Sequence, residues 1–249
     1  MKRTLINTIS LSLLILSSLA SAGCSKEKYD FIPEPTATSV IVTGRVISND
    51  GTPLANVPVG VDFHESQYLT YVKTIHKATG QTDANGNFRM FFEPEKSKDN
   101  PQLHTYYIIL ADLSQIPSDK YILPSELDSP FAGNSDVVPI YCSDFKEGES
   151  VSEDFLIPRK KTLTIQLENY ASGDALTVSN TIKYCNRYVT ISSPVVFSSG
   201  NSASATINCA IDETNSLTVV RDRDSEVLDS QDVQVTSSTD RPVIFNNTI

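Results

Sequence analysis

The sequence predicts an all-β protein of two consecutive β-sandwich domains. Three observations lead there. Short runs of β-branched and aromatic residues alternate with polar ones, the period-2 pattern of strands with one buried face. Turn pairs such as Asp50-Gly51 and Asn85-Gly86 separate those runs at hairpin-like intervals. No helical i, i+3, i+4 period persists after residue 25.

The first 23 residues read as a targeting segment. Lys2 and Arg3 form a positive start, and residues 5–19 are apolar but too short for a lasting membrane span. Leu19-Ala20-Ser21-Ala22-Gly23-Cys24 then places small residues before a lone cysteine. This resembles a bacterial lipobox. The resemblance implies cleavage after Gly23, a diacylglyceryl thioether on Cys24, and a protein held to the membrane by its lipid. Several acyl chains anchor stably because each buried methylene contributes ~0.8 kcal/mol while one chain is marginal. Ser25 follows the cysteine in place of an aspartate, as outer-membrane sorting would allow. Residues 24–38 carry Pro33, Pro35 and mixed charges, and read as an extended tether.

Residues 39–158 are expected to form the first sandwich. Val40, Val42 and Val46 share one strand face, and Val57, Val59, Val61 and Phe63 share another, with Pro58 arguing for an edge or a bulge. Asp50-Gly51 reverses the chain between them. Asn85-Gly86 is expected to be a two-residue type I′ hairpin turn leading to Phe88, Met90 and Phe92. Residues 106–111 form an almost unbroken apolar run, read as a central strand covered on both sides. Residues 116–136 form a long loop on which Tyr121, Ile122 and Leu123 dip towards the core. Pro158, Arg159, Lys160 and Lys161 mark the boundary, and residues 159–249 form the second, Ig-like sandwich. Its last strand, near Val243 and Phe245, either completes its own sheet or is donated to another subunit.

Gly44, Val46, Gly51, Pro53, Leu54, Val57 and Val59, followed by Thr82, Asp83, Gly86 and Phe88, resemble the carboxypeptidase regulatory-like domain. That domain is a small sandwich of the transthyretin type. The resemblance covers about residues 38–115 and departs from the compact pattern between Val59 and Thr82. It implies an accessory or attachment module without catalysis.

The candidate chemistry is sparse. Acidic residues outnumber basic ones by 30 to 20, which argues against a nucleic-acid partner. Cys185 and Cys209 are the candidate disulfide, worth ~3 kcal/mol by loop entropy, with small buried thiols as the alternative. No Cys-x-x-Cys or His-Glu-x-x-His spacing nominates a metal, and no cofactor is expected. Intradiol dioxygenases, which resemble the transthyretin architecture, hold iron with two Tyr and two His. His64, His104, Tyr106 and Tyr107 supply those types at an unconvincing spacing. Asp83, Asn85, Gly86 and Asn87 lack the glutamate and the glycine position of a calcium loop. No nucleophile elbow or phosphate loop occurs. The chain is therefore expected to be a lipid-anchored, non-catalytic envelope module for a glycan or an envelope protein. The alternatives are a subunit of a fimbria-like assembly and an unrecognised hydrolase.

Overall fold

The structure, a computed structural model, describes residues 26–67, 71–96, 103–129, 135–142, 144–170, 175–197 and 202–246. The expected signal segment, residues 1–23, and Cys24 lie outside the described residues. The chain forms β1 (Lys26–Tyr29), β2 (Val40–Ser48), β3 (Pro58–Gln67), β4 (Tyr71–Gln81), β5 (Asn87–Phe92), β6 (Leu103–Asp112), β7 (Val137–Cys142), β8 (Ser150–Ser152) and β9 (Phe155–Ile157). It continues through β10 (Lys160–Glu168), β11 (Leu176–Tyr184), β12 (Arg187–Pro194), β13 (Val196–Phe197), β14 (Ser202–Ala210), β15 (Thr214–Arg221), β16 (Glu226–Gln234) and β17 (Val243–Asn246). The fold is all-β. Among the described residues the one helical element is a short 3₁₀ turn, Pro124–Glu126.

Two pairs of sheets build the molecule. In the first, a five-stranded sheet ordered β1-β4-β3-β6-β7 faces a smaller sheet in which β2 is flanked by β5 on one edge and by β8 and β9 on the other. Val59, Val61, Phe63 and Ile109 from one sheet meet Val40, Val42, Met90 and Phe92 from the other, and all are buried. The second pair stacks β13-β14-β10-β17 on β12-β11-β15-β16. Ile165, Ile207, Val178, Leu217 and Phe245 fill the space between. The alternating valines and phenylalanines thus settle which strand faces are buried, since successive side chains point to opposite sides.

Gly44 shows why β8 and β9 are two strands. A Cβ at Gly44 would collide with the carbonyl oxygen of Glu153. The returning chain presses onto β2 there, and the parallel pairing lapses at Glu153 and Asp154 without a change of register.

Several expectations are corrected. Asn85-Gly86 does not close a β-hairpin, because β4 and β5 lie in different sheets. The turn is a corner between layers. Gly86 N–H donates to Asp83 O at 3.0 Å, and only Gly86 has positive φ, at 73°. This is a type I turn followed by a left-handed glycine rather than type I′. Gly51, with φ 85°, repeats the arrangement after Ser48, Asn49 and Asp50. The two-residue turn with positive φ at both positions is instead Cys185-Asn186, between β11 and β12. Pro58 is the first residue of a central strand, where its missing N–H is tolerated, and the bulge falls later, opposite Val61 and Asp62. Part of the expected tether is ordered: Lys26–Tyr29 pairs in parallel with residues 73–76 of β4. β17 pairs in parallel with β10 of its own chain and buries Phe245.

Cys185 and Cys209 are free thiols. Cys185 occupies the turn, not a strand, and its thiol donates to Leu156 O at 3.2 Å beside the first core. Cys209 points into the second core. The two therefore belong to different clusters.

Candidate ligand-binding face

The outer face of the five-stranded sheet collects the rings that the cores do not use. Alternation along β3 turns Val61 and Phe63 inward and Gly60, Asp62 and His64 outward. Along β6 it turns Tyr107, Ile109 and Ala111 inward and Tyr106, Leu110 and Asp112 outward. The expectation that this strand is covered on both sides holds on the outer side at Ile108, which is buried, and is corrected at Tyr106 and Leu110, which are half-buried on an open face. Tyr106 and Tyr107 point to opposite sides of the sheet, so the iron set imagined from His64, His104, Tyr106 and Tyr107 does not converge. Tyr107 instead accepts a hydrogen bond from Glu95 N–H at 2.7 Å.

The pairing of β3 with β4 skips Lys77, and this bulge positions one end of the face. Lys77 is buried, and its ammonium reaches Asp30 at 2.5 Å and Glu95 at 3.0 Å. Hydrogen bonding to Lys77 holds the Asp30 carboxyl below the usual carboxylate range. Asp30 is thereby fixed beside β4, where its N–H donates to His76 O at 2.9 Å and the segment continues along the sheet edge. Tyr29 stacks on His76 with centroids 4.7 Å apart, and Phe31 stands edge-on to Tyr29 at 5.7 Å. His76 Nδ1 donates to Asp62 Oδ1 at 2.8 Å.

These groups enclose a cleft of about 400 Å³. Tyr29, Phe31, His76, Leu110 and Val137 form its apolar walls, and Asp62 and Asp112 offer carboxylates. Gly60 is its floor. No positive φ demands glycine there, and a Cβ would meet only Ala78 O at 3.4 Å. The missing side chain keeps the cleft open rather than serving the backbone. Mostly apolar walls with a few placed polar groups are the usual make-up of a ligand site. A larger hollow of about 660 Å³ lies on the outer face of the second sandwich, around Lys183, Tyr188, Glu213 and Asp232. It has one ring among polar and charged side chains, so the chemistry favours the smaller cleft.

The face continues beyond the cleft. His64 stacks on Tyr106 at 5.2 Å with ring planes 7° apart. Tyr106 lies 6.1 Å from Tyr141, and the Arg187 guanidinium sits 5.4 Å above the Tyr141 ring. Burial holds the His64 imidazole below its usual pKa, against an opposing pull from Asp62.

The residues singled out from sequence serve the frame instead. Asp50 accepts from Ser48 Oγ, from Thr52 N–H at 3.0 Å and from Arg159 Nη1 at 2.6 Å. The Ser48 hydroxyl is the largest influence holding its carboxyl far below the usual range. Asp83 Oδ1 accepts from the backbone N–H of Asn85 and of Asn87, both at 2.8 Å. Burial pushes the Cys142 thiol up to about 11 and those of Cys185 and Cys209 up to about 12, leaving them protonated. Among the described residues no three His, Cys, Asp or Glu side chains gather as a metal site would require. Sequence reasoning missed the aromatic face because its rings come from β1, β4, β3, β6 and β7, which only sheet order makes adjacent. The signal that could have found it was the off-parity ring: Tyr106 lies out of phase with the buried Tyr107 and Ile109.

No family model matches this chain. No curated protein sequence matches it either. Among solved structures, a 9R-lipoxygenase from Cyanothece PCC8801 is 19% identical over 57% of this chain and 19% of its own, with a TM-score of 0.23. A streptococcal ancillary pilin is 8% identical over 86% and 63%, at 0.29. The shaft pilin SpaA of Lactobacillus rhamnosus GG is 12% identical over 86% and 99%, at 0.27. The chain thus spans less than two thirds of the first two. TM-scores this low carry no argument about kinship or activity.

Proposed function

We propose that the protein is a lipid-anchored, non-catalytic binding module of the bacterial envelope, whose ligand is a glycan held on the outer face of the five-stranded sheet. The observation that carries this reading is the cleft itself: stacked rings opposite aliphatic walls, two carboxylates, and a glycine floor that the backbone does not require. Rings cover the apolar faces of a sugar, and carboxylates accept from its hydroxyls. The anchor reading rests on the run from Leu19 to Cys24. The first sandwich is read as a carboxypeptidase regulatory-like domain, on the spacing of Gly44, Gly51 and Gly86 and on the structural places they take.

The test is binding of the mature chain, kept soluble by Cys24→Ser, to an array of glycans. Gly60→Val should abolish binding and leave the melting temperature unchanged or raised, because valine suits a strand. Retention of no glycan by the parent protein, or undiminished binding by Gly60→Val, would refute the site. Palmitate labelling of the native chain, lost in Cys24→Ser, tests the anchor separately.

A further inference from the structure

We infer that the face binds an extended, neutral polysaccharide chain lying across the strands, with Tyr29 at one end and Tyr141 with Arg187 at the other. This inference rests on the binding-face reading above and adds the direction, length and charge class of the ligand.

The direction follows from the order of the rings. Tyr29 belongs to β1, His76 to β4, His64 to β3, Tyr106 to β6 and Tyr141 to β7, and this is the order of the strands across the sheet. Each strand contributes an outward ring, and the register sets Tyr29, His76 and Tyr141 on one line across the strands, through Asp62 and Ile108, with His64 and Tyr106 displaced from it by two residues along β3 and β6. Four strand spacings of about 4.8 Å give a row about 19 Å long. That is the length of several sugar units, far beyond one ring in the cleft. The row also crosses the domain boundary, since Arg187 comes from the start of β12 and caps Tyr141. Tyr29 and Tyr141, its two ends, are 66% and 50% exposed. Rings held this openly at both ends of a row present their faces to a chain that passes over them.

The charge class follows from what lines the row. Asp62 and Asp112 stand at the cleft, His64 is held towards its neutral form, and the Arg187 cation lies at the far end of the row, over the Tyr141 ring. The whole chain is acidic, at −10. A sulfated or uronate-rich polymer would meet like charge along the row. A neutral chain meets stacking surfaces and hydroxyl acceptors.

The experiment is titration calorimetry of the Cys24→Ser mature chain with glucan-, mannan- and xylan-derived oligosaccharides of one to six units, beside a sulfated polymer. For at least one neutral series, affinity should rise with length until the row is spanned and then level off. Tyr141→Ala, at an exposed position, should keep the parent melting temperature. It should lower affinity for the longest ligands by about tenfold and leave the shortest binding ligand unchanged. Equal affinity for short and long ligands, or equal losses for both in Tyr141→Ala, would overturn the row while leaving the cleft. Tighter binding of the sulfated polymer would overturn the charge class. If no oligosaccharide binds at any length, the binding-face reading fails and this inference with it.

Discussion

Gly86 holds a backbone conformation in which a side chain has no room. Its φ is 73°, and a Cβ would sit 2.5 Å from Val46 O and 3.2 Å from Pro53 Cβ. Val46 N–H also donates to Gly86 O at 2.8 Å, so the corner cannot back away without breaking that bond. Gly51 has the same sign of φ, but a Cβ there would meet nothing within 4 Å. The left-handed region costs an ordinary residue about 1–2 kcal/mol. Gly51→Ala should therefore lose about that much, and Gly86→Val more, because the collision is added to the strain. Chemical denaturation of both variants measures the difference, and equal losses would mean that the corner yields. Calcium should shift neither variant, since Asp83 is occupied by the amides of Asn85 and Asn87.

At the scale of the element, a single side chain closes the turn from β14 to β15. Asn215 is fully buried and uses its amide completely. Its oxygen accepts from Ala210 N–H at 2.7 Å and from Asn180 Nδ2 at 3.0 Å. Its nitrogen donates to Ala210 O at 2.8 Å and to Glu213 O at 3.1 Å. The loop carries Asp212 at φ 61°, so its own backbone does not form a regular two-residue turn. Removing the amide strands several buried polar groups, each costing about 1–3 kcal/mol. Asn215→Ala should therefore destabilise the protein by about 3 kcal/mol or more, read from equilibrium unfolding. A loss below about 1 kcal/mol, the mean for a solvated hydrogen bond, would show that water replaces the amide. The strand β16 shows the opposite case: it lies at a sheet edge with both faces largely polar. Its hydrophobic alternation is too weak to announce a strand.

Across the whole molecule, the two sandwiches are joined by more than a linker. Ile182, Tyr184 and Ile191 of the second half are buried in the first core, against Ile122, Leu123 and Leu127 of the 116–129 segment. Tyr184 Oη donates to Ile122 O at 3.0 Å. Glu126 takes Lys160 Nζ at 3.0 Å and Asn208 Nδ2 at 2.7 Å, and Asp128 accepts from Ser192 N–H at 2.8 Å. From the other side, Asn49 Oδ1 accepts Arg159 N–H and its Nδ2 donates to Ile211 O. The long segment read as a surface loop is a clamp between domains. Unfolding should consequently be one cooperative calorimetric transition, and Tyr184→Phe should lower its midpoint by the equivalent of about 1 kcal/mol. Two resolved transitions in the parent protein would refute the clamp. So would proteolytic cleavage within 116–129 before any other site, because packed backbone resists nicking.

Strand faces were legible from the residues alone. Val40, Val42, Val46, Phe88, Met90 and Phe92 alternate strictly, and a period of two leaves no other choice of buried side. The turn positions were legible too, because Gly51 and Gly86 stand where only glycine adopts positive φ without strain. The sequence by itself also determined the lack of reactive spacing among its cysteines and histidines. Tertiary structure decided which strands pair and which turns join sheets rather than hairpins. Asn85-Gly86 reads identically whether the next strand folds back beside β4 or crosses to the other layer; the choice depends on where β2 offers a free edge. Cys185 lies in a turn that docks against Leu156, and nothing local distinguishes that from a strand. The aromatic face is likewise a product of sheet order. Tyr29, His76, His64, Tyr106 and Tyr141 span more than a hundred residues, and each alone is an unremarked ring. Hydrogen-bonded neighbours about 4.8 Å apart turn them into a surface, since pairing, a non-local interaction, sets distance where sequence sets only side.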